Sequence, residues 1–350
     1  MALDLDTFVT AVYDTVDALY QEQFAPQKPR RPGPRPRYSD SEVLTLALLA
    51  QYRPDRSERA CLRYAATHWG AYFPQLPCQS TFNRRVRDLE GVLSALGPLV
   101  AQQVLAQHAA AAGRYEVLDA TPVPLLRRCR GNRHKCFGDE AAVGRGGSDR
   151  DWFYGMDLEA AISASGALTG AVLAPADTEE RFSAETLLCW RVDPTRPAPT
   201  AAELDPLLGP PAPRVGPTGP LTSPTSAGPP HPGVYLADRG LAGQAWHQHW
   251  QDAWGATVFT AAELPQPGPG DATGRHQRRI LTRWFSGLRQ VVETTFGHLQ
   301  TVFGLAFPRA RTYQGVRTRV AAKIAAFNLA LLLNHHAGRP RFAFFNPFDA

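Results

Sequence analysis

The sequence predicts a mixed α/β domain preceded by an all-helical region. Three observations carry this expectation. Up to about residue 112, apolar side chains recur at spacings of three and four, the period of a helix face. From Gly113 onward, short runs rich in β-branched and aromatic residues alternate with further helical patterns. Two long helical segments follow, an apolar-striped one from Arg279 to Phe303 and an apolar one over about Val316 to Asn334.

In chain order, residues 4–22 form an amphipathic helix with Leu5, Phe8, Val9, Val12, Val16 and Leu19 on one side. QKPRRPGPRPR is a stiff, basic, proline-rich connector. SDSE, Ser39 to Glu42, is a capping box that opens the helix SEVLTLALLAQY. Further helices are expected from Ser57 to Trp69 and from Ser80 to about Ala111. YEVLDATPVP then reads as a short strand that reaches Asp119 and is stopped by Pro122 and Pro124. Residues 127–150 read as a loop with seven Arg or Lys against three acids. FYGMDLEAAISASGALTGAVLA reads as a hairpin turning at Ser165-Gly166, and 178–190 as a helix. Thirteen prolines fall between 194 and 233, a composition that favours no packed structure. VYLAD (234–238) is a second short strand ending in Asp, LAGQAWHQHWQDAW a helix and ATVFTA a strand. The long helix after them buries Phe285, Leu288, Val292, Phe296, Leu299 and Phe303. These patterns divide the chain into a helical region at 1–112, an α/β region at 113–336 with the insert at 194–233, and a tail at 337–350.

A hydrophobic content of 44% supports a sizeable core, and no apolar run is long enough to cross a bilayer. The first residues, MALDLDTFVTAVYDTVDALY, carry acids where a signal peptide carries bases, so a soluble cytoplasmic protein is expected. Five scattered cysteines argue against a disulfide framework. Cys129, His134 and Cys136 lack a further pair to complete a zinc set and read as ordinary residues of a basic loop. His247 and His249 are two apart, on different sides of a helix, and suit no shared metal. The net charge of +5 is unevenly spread. KPRRPGPRPR has no acid, and residues 275–320 hold nine arginines with Glu293 as their one acid. One-signed stretches of this kind point to a polyanion, nucleic acid foremost.

Asp119 and Asp238 share a context, each closing a short apolar strand before turn-prone sequence. Carboxylates at the ends of two neighbouring strands converge, and Glu293 lies beside the buried stripe of the long helix, four residues after Arg289. Carboxylates so close repel one another unless a divalent cation holds them ionised. Oxygen-only ligands suit Mg²⁺ or Mn²⁺, and two such ions activate water and stabilise the leaving oxygen in phosphodiester cleavage. Arginines around them, Arg239, Arg283, Arg289, Arg309 and Arg311, would hold the phosphate backbone. Taken singly, each acid also fits a plainer role. A strand-end Asp is commonly a turn former or helix cap, and a Glu near an Arg commonly a solvated pair. The ordered set of strand-Asp, strand-Asp and helix-Glu within basic sequence favours the catalytic reading.

LDATPVP, FYGMDL after a basic loop, LAPADTEER, YLADRGLAG and RQVVETTFGHLQ followed by RARTYQGVRTRVAAKIAAFNLALLL resemble the DDE-type transposases of bacterial insertion sequences. The likeness covers roughly residues 38–336, with the blocks in the family's order. It implies a ribonuclease-H-like mixed sheet flanked by helices, with Asp119, Asp238 and Glu293 as the metal-binding triad for Mg²⁺ or Mn²⁺ and two ions in the site. It implies a helical N-terminal region that recognises terminal inverted repeats, and Arg289 contacting phosphate or orienting Glu293. The implied chemistry is hydrolysis at the element end, then attack of the freed 3′-hydroxyl on target DNA. The implied partners are double-stranded DNA and a second copy of the chain, a homodimer on DNA associated with the nucleoid, with no membrane. The chain departs from the family where Asp157 and Glu159 stand in place of a Lys and a His, and where Ser286 stands in place of a Tyr. Two further readings stay open: a catalytically inactive, transposase-derived DNA-binding protein, and a ribonuclease-H-like nuclease without strand transfer.

Overall fold

The computed structural model describes residues 4–28, 36–53, 57–108, 115–127, 137–146, 151–200, 203–204, 207, 219–220 and 231–344. The core of the basic connector, the group Cys129, His134 and Cys136, most of the 194–233 insert and the last six residues lie outside them. In chain order the helices are α1 Leu5–Gln23, α2 Asp40–Leu49, α3 Glu58–His68, α4 Gln79–Asp88, α5 Glu90–Gln107, α6 Glu180–Val192, α7 Gln244–Trp254, α8 Ala272–Thr301 and α9 Tyr313–His336. The strands are β1 Glu116–Arg127, β2 Ala142–Gly146, β3 Asp151–Ser163, β4 Leu168–Pro175, β5 Gly219–Pro220, β6 Val234–Ala237 and β7 Thr257–Thr260. They fall into two units, one holding residues 4–107 with 298–344 and the other 108–220 with 231–297.

In the first unit the expected capping box opens α2. The Ser39 amide donates to Glu42 Oε2 at 2.5 Å and the Glu42 amide to Ser39 Oγ at 3.1 Å. Next to it Asp40 is buried and accepts from the Tyr20 hydroxyl at 2.6 Å, from Lys28 and from Arg85. Burial pushes the Asp40 carboxyl up, but these three hydrogen bonds together outweigh it and hold it below its ordinary value. The single helix expected from Ser80 to Ala111 is two, α4 and α5, bent by 63°. Among the described residues no single helix is long and apolar enough to cross a membrane.

The boundary read at residue 336 does not follow the packing. Helix α9 packs along α5, so residues 298–344 group with the N-terminal helices. Gly97 makes that approach possible, because a Cβ there would lie 3.0 Å from Ile324 Cγ2. The buried Asn328 donates to the Gly97 carbonyl at 2.9 Å, tying α9 to α5. Most of α9 is buried over its whole length, as expected of a helix apolar on nearly every side. Phe342 stacks on His298 at 5.6 Å, Phe344 meets His298 edge-on at 4.5 Å and also meets Phe303 and Phe327, so this part of the tail packs on its own unit.

The second unit is built on a curled mixed sheet of order β5-β4-β3-β1-β6-β7, with β2 taking the part of β3 that β4 leaves. Strands β1, β3 and β4 are antiparallel, whereas β1, β6 and β7 are parallel. The β3–β4 hairpin turns where expected, with Gly166 at φ 85°. Helices α6 and α7 cover one face, packing Phe182, Leu187, Trp246 and Trp250 with Leu118, Ala161 and Val172.

Strand β1 does not stop at Pro122 and Pro124 but runs through both to Arg127. Parallel pairing with β6 ends at Leu118↔Ala237, so from Asp119 onward that edge of β1 has no strand partner among the described residues. An open edge is where a sheet accepts residues that cannot donate a hydrogen bond. Pairing with β3 continues on the other side, with an irregularity between Pro124 and Leu126. Gly155 sits opposite Pro124, and a Cβ there would lie 2.3 Å from the Val123 carbonyl oxygen. Gly155→Ala is therefore expected to destabilise the unit by about 1–3 kcal/mol, read as a drop in melting temperature. An unchanged melt would show that β1 yields at this point.

Candidate carboxylate site

The register of the parallel pair builds the site. Leu118 faces Ala237, so the next residues on the two strands, Asp119 and Asp238, come side by side where β6 ends. Asp119 lies opposite Ala160 on β3 and Leu118 opposite Ala161, so Asp119 projects from the face away from α6 and α7. Helix α8 supplies the cation. Arg289 Nη2 donates to Asp119 Oδ2 at 3.0 Å and Nη1 to Asp238 Oδ1 at 3.1 Å, one guanidinium bridging both carboxylates. The planar fork of arginine suits this task. Asp119 Oδ1 also accepts from the Ala120 amide at 2.9 Å. Burial raises the Asp119 carboxyl above its ordinary value, Arg289 opposes that shift and Asp238 adds to it. The Thr295 hydroxyl donates to the Gly166 carbonyl at 3.1 Å, fixing α8 to the β3–β4 turn.

Of the residues singled out in the sequence, the structure thus brings together Asp119, Asp238 and Arg289. Glu293 stands on α8 one turn beyond Arg289, exposed and without a hydrogen bond or ion pair among the described residues. Arg239 is exposed in the turn directly after Asp238, and Arg283 is exposed on α8. Arg309 and Arg311 belong to the other unit, where with Arg87 and Arg319 they line a cavity of about 240 Å³. There Phe307 and Arg309 hold left-handed backbone, with φ of 54° and 57°. Arg319 fixes that bend by donating to the Pro308 and Arg309 carbonyls at 2.7 and 2.8 Å. His247 and His249 have separate partners, Glu263 at 2.5 Å and Glu185 at 3.1 Å.

Sequence reasoning missed Glu180, the first residue of α6. Its carboxylate lies against the turn that follows Asp238, so that a Cβ on Gly240 would fall 2.2 Å from Glu180 Oε2. The neighbouring Arg181 donates to the Gly240 carbonyl at 3.1 Å. Burial, then Asp119 and Asp238, push Glu180 up to about 7, against the charges of Arg289 and Arg181. Asp157 and Glu159, the acids that stand in place of the family's Lys and His, are not surface groups: Glu159 is 1% exposed and Asp157 only partly exposed. The signal was present in LAPADTEER, a run of acids at a helix start, but burial of the hairpin acids could not be read from alternation alone.

In kind, two oxygen donors on adjoining strands, one with an elevated pKa, fit a hard divalent cation. In placement, Arg289 fills the role of counter-ion, and among the described residues no three His, Cys, Asp and Glu side chains are gathered to hold a metal. Compared with protein-family models, curated proteins and solved structures, the chain finds no match in any of the three.

Proposed function

We propose that the chain is a DDE-type transposase of the insertion-sequence kind, with a ribonuclease-H-like catalytic unit acting on double-stranded DNA. The observation that carries this reading is the pairing of Asp119 with Asp238 by β1 and β6, with Arg289 reaching both. A sheet antiparallel at β1–β3–β4 and parallel at β1–β6–β7, with helices on both faces, supports it. So do the positions of the resembling blocks, LDATPVP on β1, YLADRGLAG at the end of β6 and RQVVETTFGHLQ on α8.

Hydrolysis bonds a water oxygen to phosphorus and releases the 3′-oxygen as a hydroxyl. Joining bonds that oxygen to a target phosphorus and releases the target's own 3′-oxygen. Asp119 and Asp238, with Glu293 as the third carboxylate, would hold Mg²⁺ or Mn²⁺, which supplies a polarised water and neutralises charge on the leaving oxygen. Arg289 positions the aspartates and, once they are engaged elsewhere, offers its fork to a phosphate oxygen. Arg239, in the turn after Asp238, and Arg283, on α8, are exposed and extend the phosphate contacts.

The Arg289 bridge, with Glu293 apart from it, favours a second reading, a transposase-derived protein that binds DNA without cutting. A duplex made from the DNA flanking the gene, incubated with Mg²⁺, separates the two. Cleavage with strand-transfer products supports the transposase, and binding without cleavage supports the second reading. Glu293→Gln is expected to abolish cutting; a variant that cuts as well as wild type removes Glu293 from the site.

A further inference from the structure

On the other face of the sheet lies a second set of carboxylates that the aspartate pair does not use. Glu159 faces Ala120 on β1 and Val172 on β4, and Asp157 faces Pro122 and Ala174, so both project toward α6. There Glu180 opens the helix. Both carboxylate oxygens of Glu159 are buried without a hydrogen-bond partner. A buried carboxyl group normally has one, because its desolvation is otherwise uncompensated. The charges that bear on Glu159 are all negative, from Glu180, Asp119 and Asp157. Asp177 adds a further negative charge at Asp157. The cations whose charges act on Glu180 are already engaged, Arg181 with Gly240 and Glu179, and Arg289 with the two aspartates.

We propose that Asp157, Glu159 and Glu180 form a binding site for one divalent cation, on the sheet face opposite Asp119 and Asp238. Three carboxylates and no nitrogen or sulfur donor select a hard ion, Mg²⁺, Mn²⁺ or Ca²⁺. Among the described residues no three such side chains are gathered round a common point, and mutual repulsion holds neighbouring carboxylates apart. Binding draws them together and supplies the partner that Glu159 lacks. The site ties β3 to the start of α6, and through Glu180 and Arg181 to the turn that carries Asp238. It does not depend on the transposase reading, since neither DNA nor cleavage enters its definition.

The test is a Mn²⁺ titration of the chelator-treated full chain at pH 8, with free ion read by electron paramagnetic resonance and heat by calorimetry. Four proteins are compared: wild type, Glu159→Gln, Asp157→Asn and the double variant Asp119→Asn with Asp238→Asn. The double variant is expected to keep one Mn²⁺ per chain. Glu159→Gln and Asp157→Asn are each expected to weaken that ion by about tenfold or more. Circular dichroism establishes that each isosteric variant is folded, and two independent substitutions guard against one misfolding. The proposal is overturned if the double variant binds no Mn²⁺, or if both single variants bind with wild-type stoichiometry and affinity. Loss of DNA cleavage in any of the four bears on the transposase reading alone.

Discussion

Asp119→Asn is expected to lower Mg²⁺-dependent cleavage of an end-bearing duplex by about 10³-fold or more, the scale of several kcal/mol of lost transition-state stabilisation. Asp238→Asn is expected to do the same. The reason is that the β1–β6 register gives each carboxylate one neighbour of its own kind and one shared cation, so neither is replaceable by the other. The loss should come without unfolding. Burial already disfavours the ionised form of Asp119, so a neutral amide of the same shape removes a desolvation cost while giving up one arm of the Arg289 bridge. A thermal melt within a few degrees of wild type, alongside lost cleavage and retained DNA binding, is the expected pattern. A melt that collapses would instead make the pair a structural clasp.

The second large effect is on stability. In chelator at pH 8, Glu159→Gln is expected to stabilise the chain by about 2 kcal/mol, a rise of roughly 4–8 °C in melting temperature. Burial pushes Asp157 up to about 7, with Glu180 and Asp177 adding, and burial likewise raises Glu159 and Glu180. A carboxyl whose folded value lies above its unfolded one keeps its full stabilising contribution below about pH 4 and loses it as pH rises toward 7. Each such group removes about 1.4 kcal/mol per pH unit through that window. The other charges that act on Glu180 are Asp119 and Asp238, which deepen the loss, and Arg289 and Arg181, which limit it. Wild type should therefore lose melting temperature between about pH 4 and pH 7 in chelator, and Glu159→Gln should lose less. A variant less stable than wild type at pH 8 would show that Glu159 has a partner in solution.

How far the sequence could be read depends on whether the signal was local. The capping box at Ser39 and Glu42, the hairpin turn at Gly166, the apolar stripe of α8 and the apolar run of α9 all rest on neighbours within a few residues and are all found, although α8 opens at Ala272 rather than Arg279 and closes at Thr301, before Phe303. The aspartates were legible because each follows a short apolar strand, and the parallel register then places them together. Pro122 and Pro124 misled because proline bars a strand only where its nitrogen would need to donate, and the early end of β6 leaves that edge of β1 open. The grouping of α9 with the N-terminal helices depends on Gly97 meeting Ile324, far apart in the chain and silent in local pattern. The bend between α4 and α5 has no proline at Leu89 to announce it. The burial of Glu159 was not legible because alternation tells which residues share a face, whereas only the packing of α6 tells which face is covered.

Asp119 and Asp238 acting together on duplex DNA is the central claim, and one cleavage assay tests it most directly. A labelled duplex carrying the DNA on both sides of the gene is incubated with Mg²⁺ and either wild-type protein or Asp119→Asn. The account predicts a discrete cut with a free 3′-hydroxyl from wild type, and none from Asp119→Asn although it still binds. Equal cutting by both proteins would contradict it.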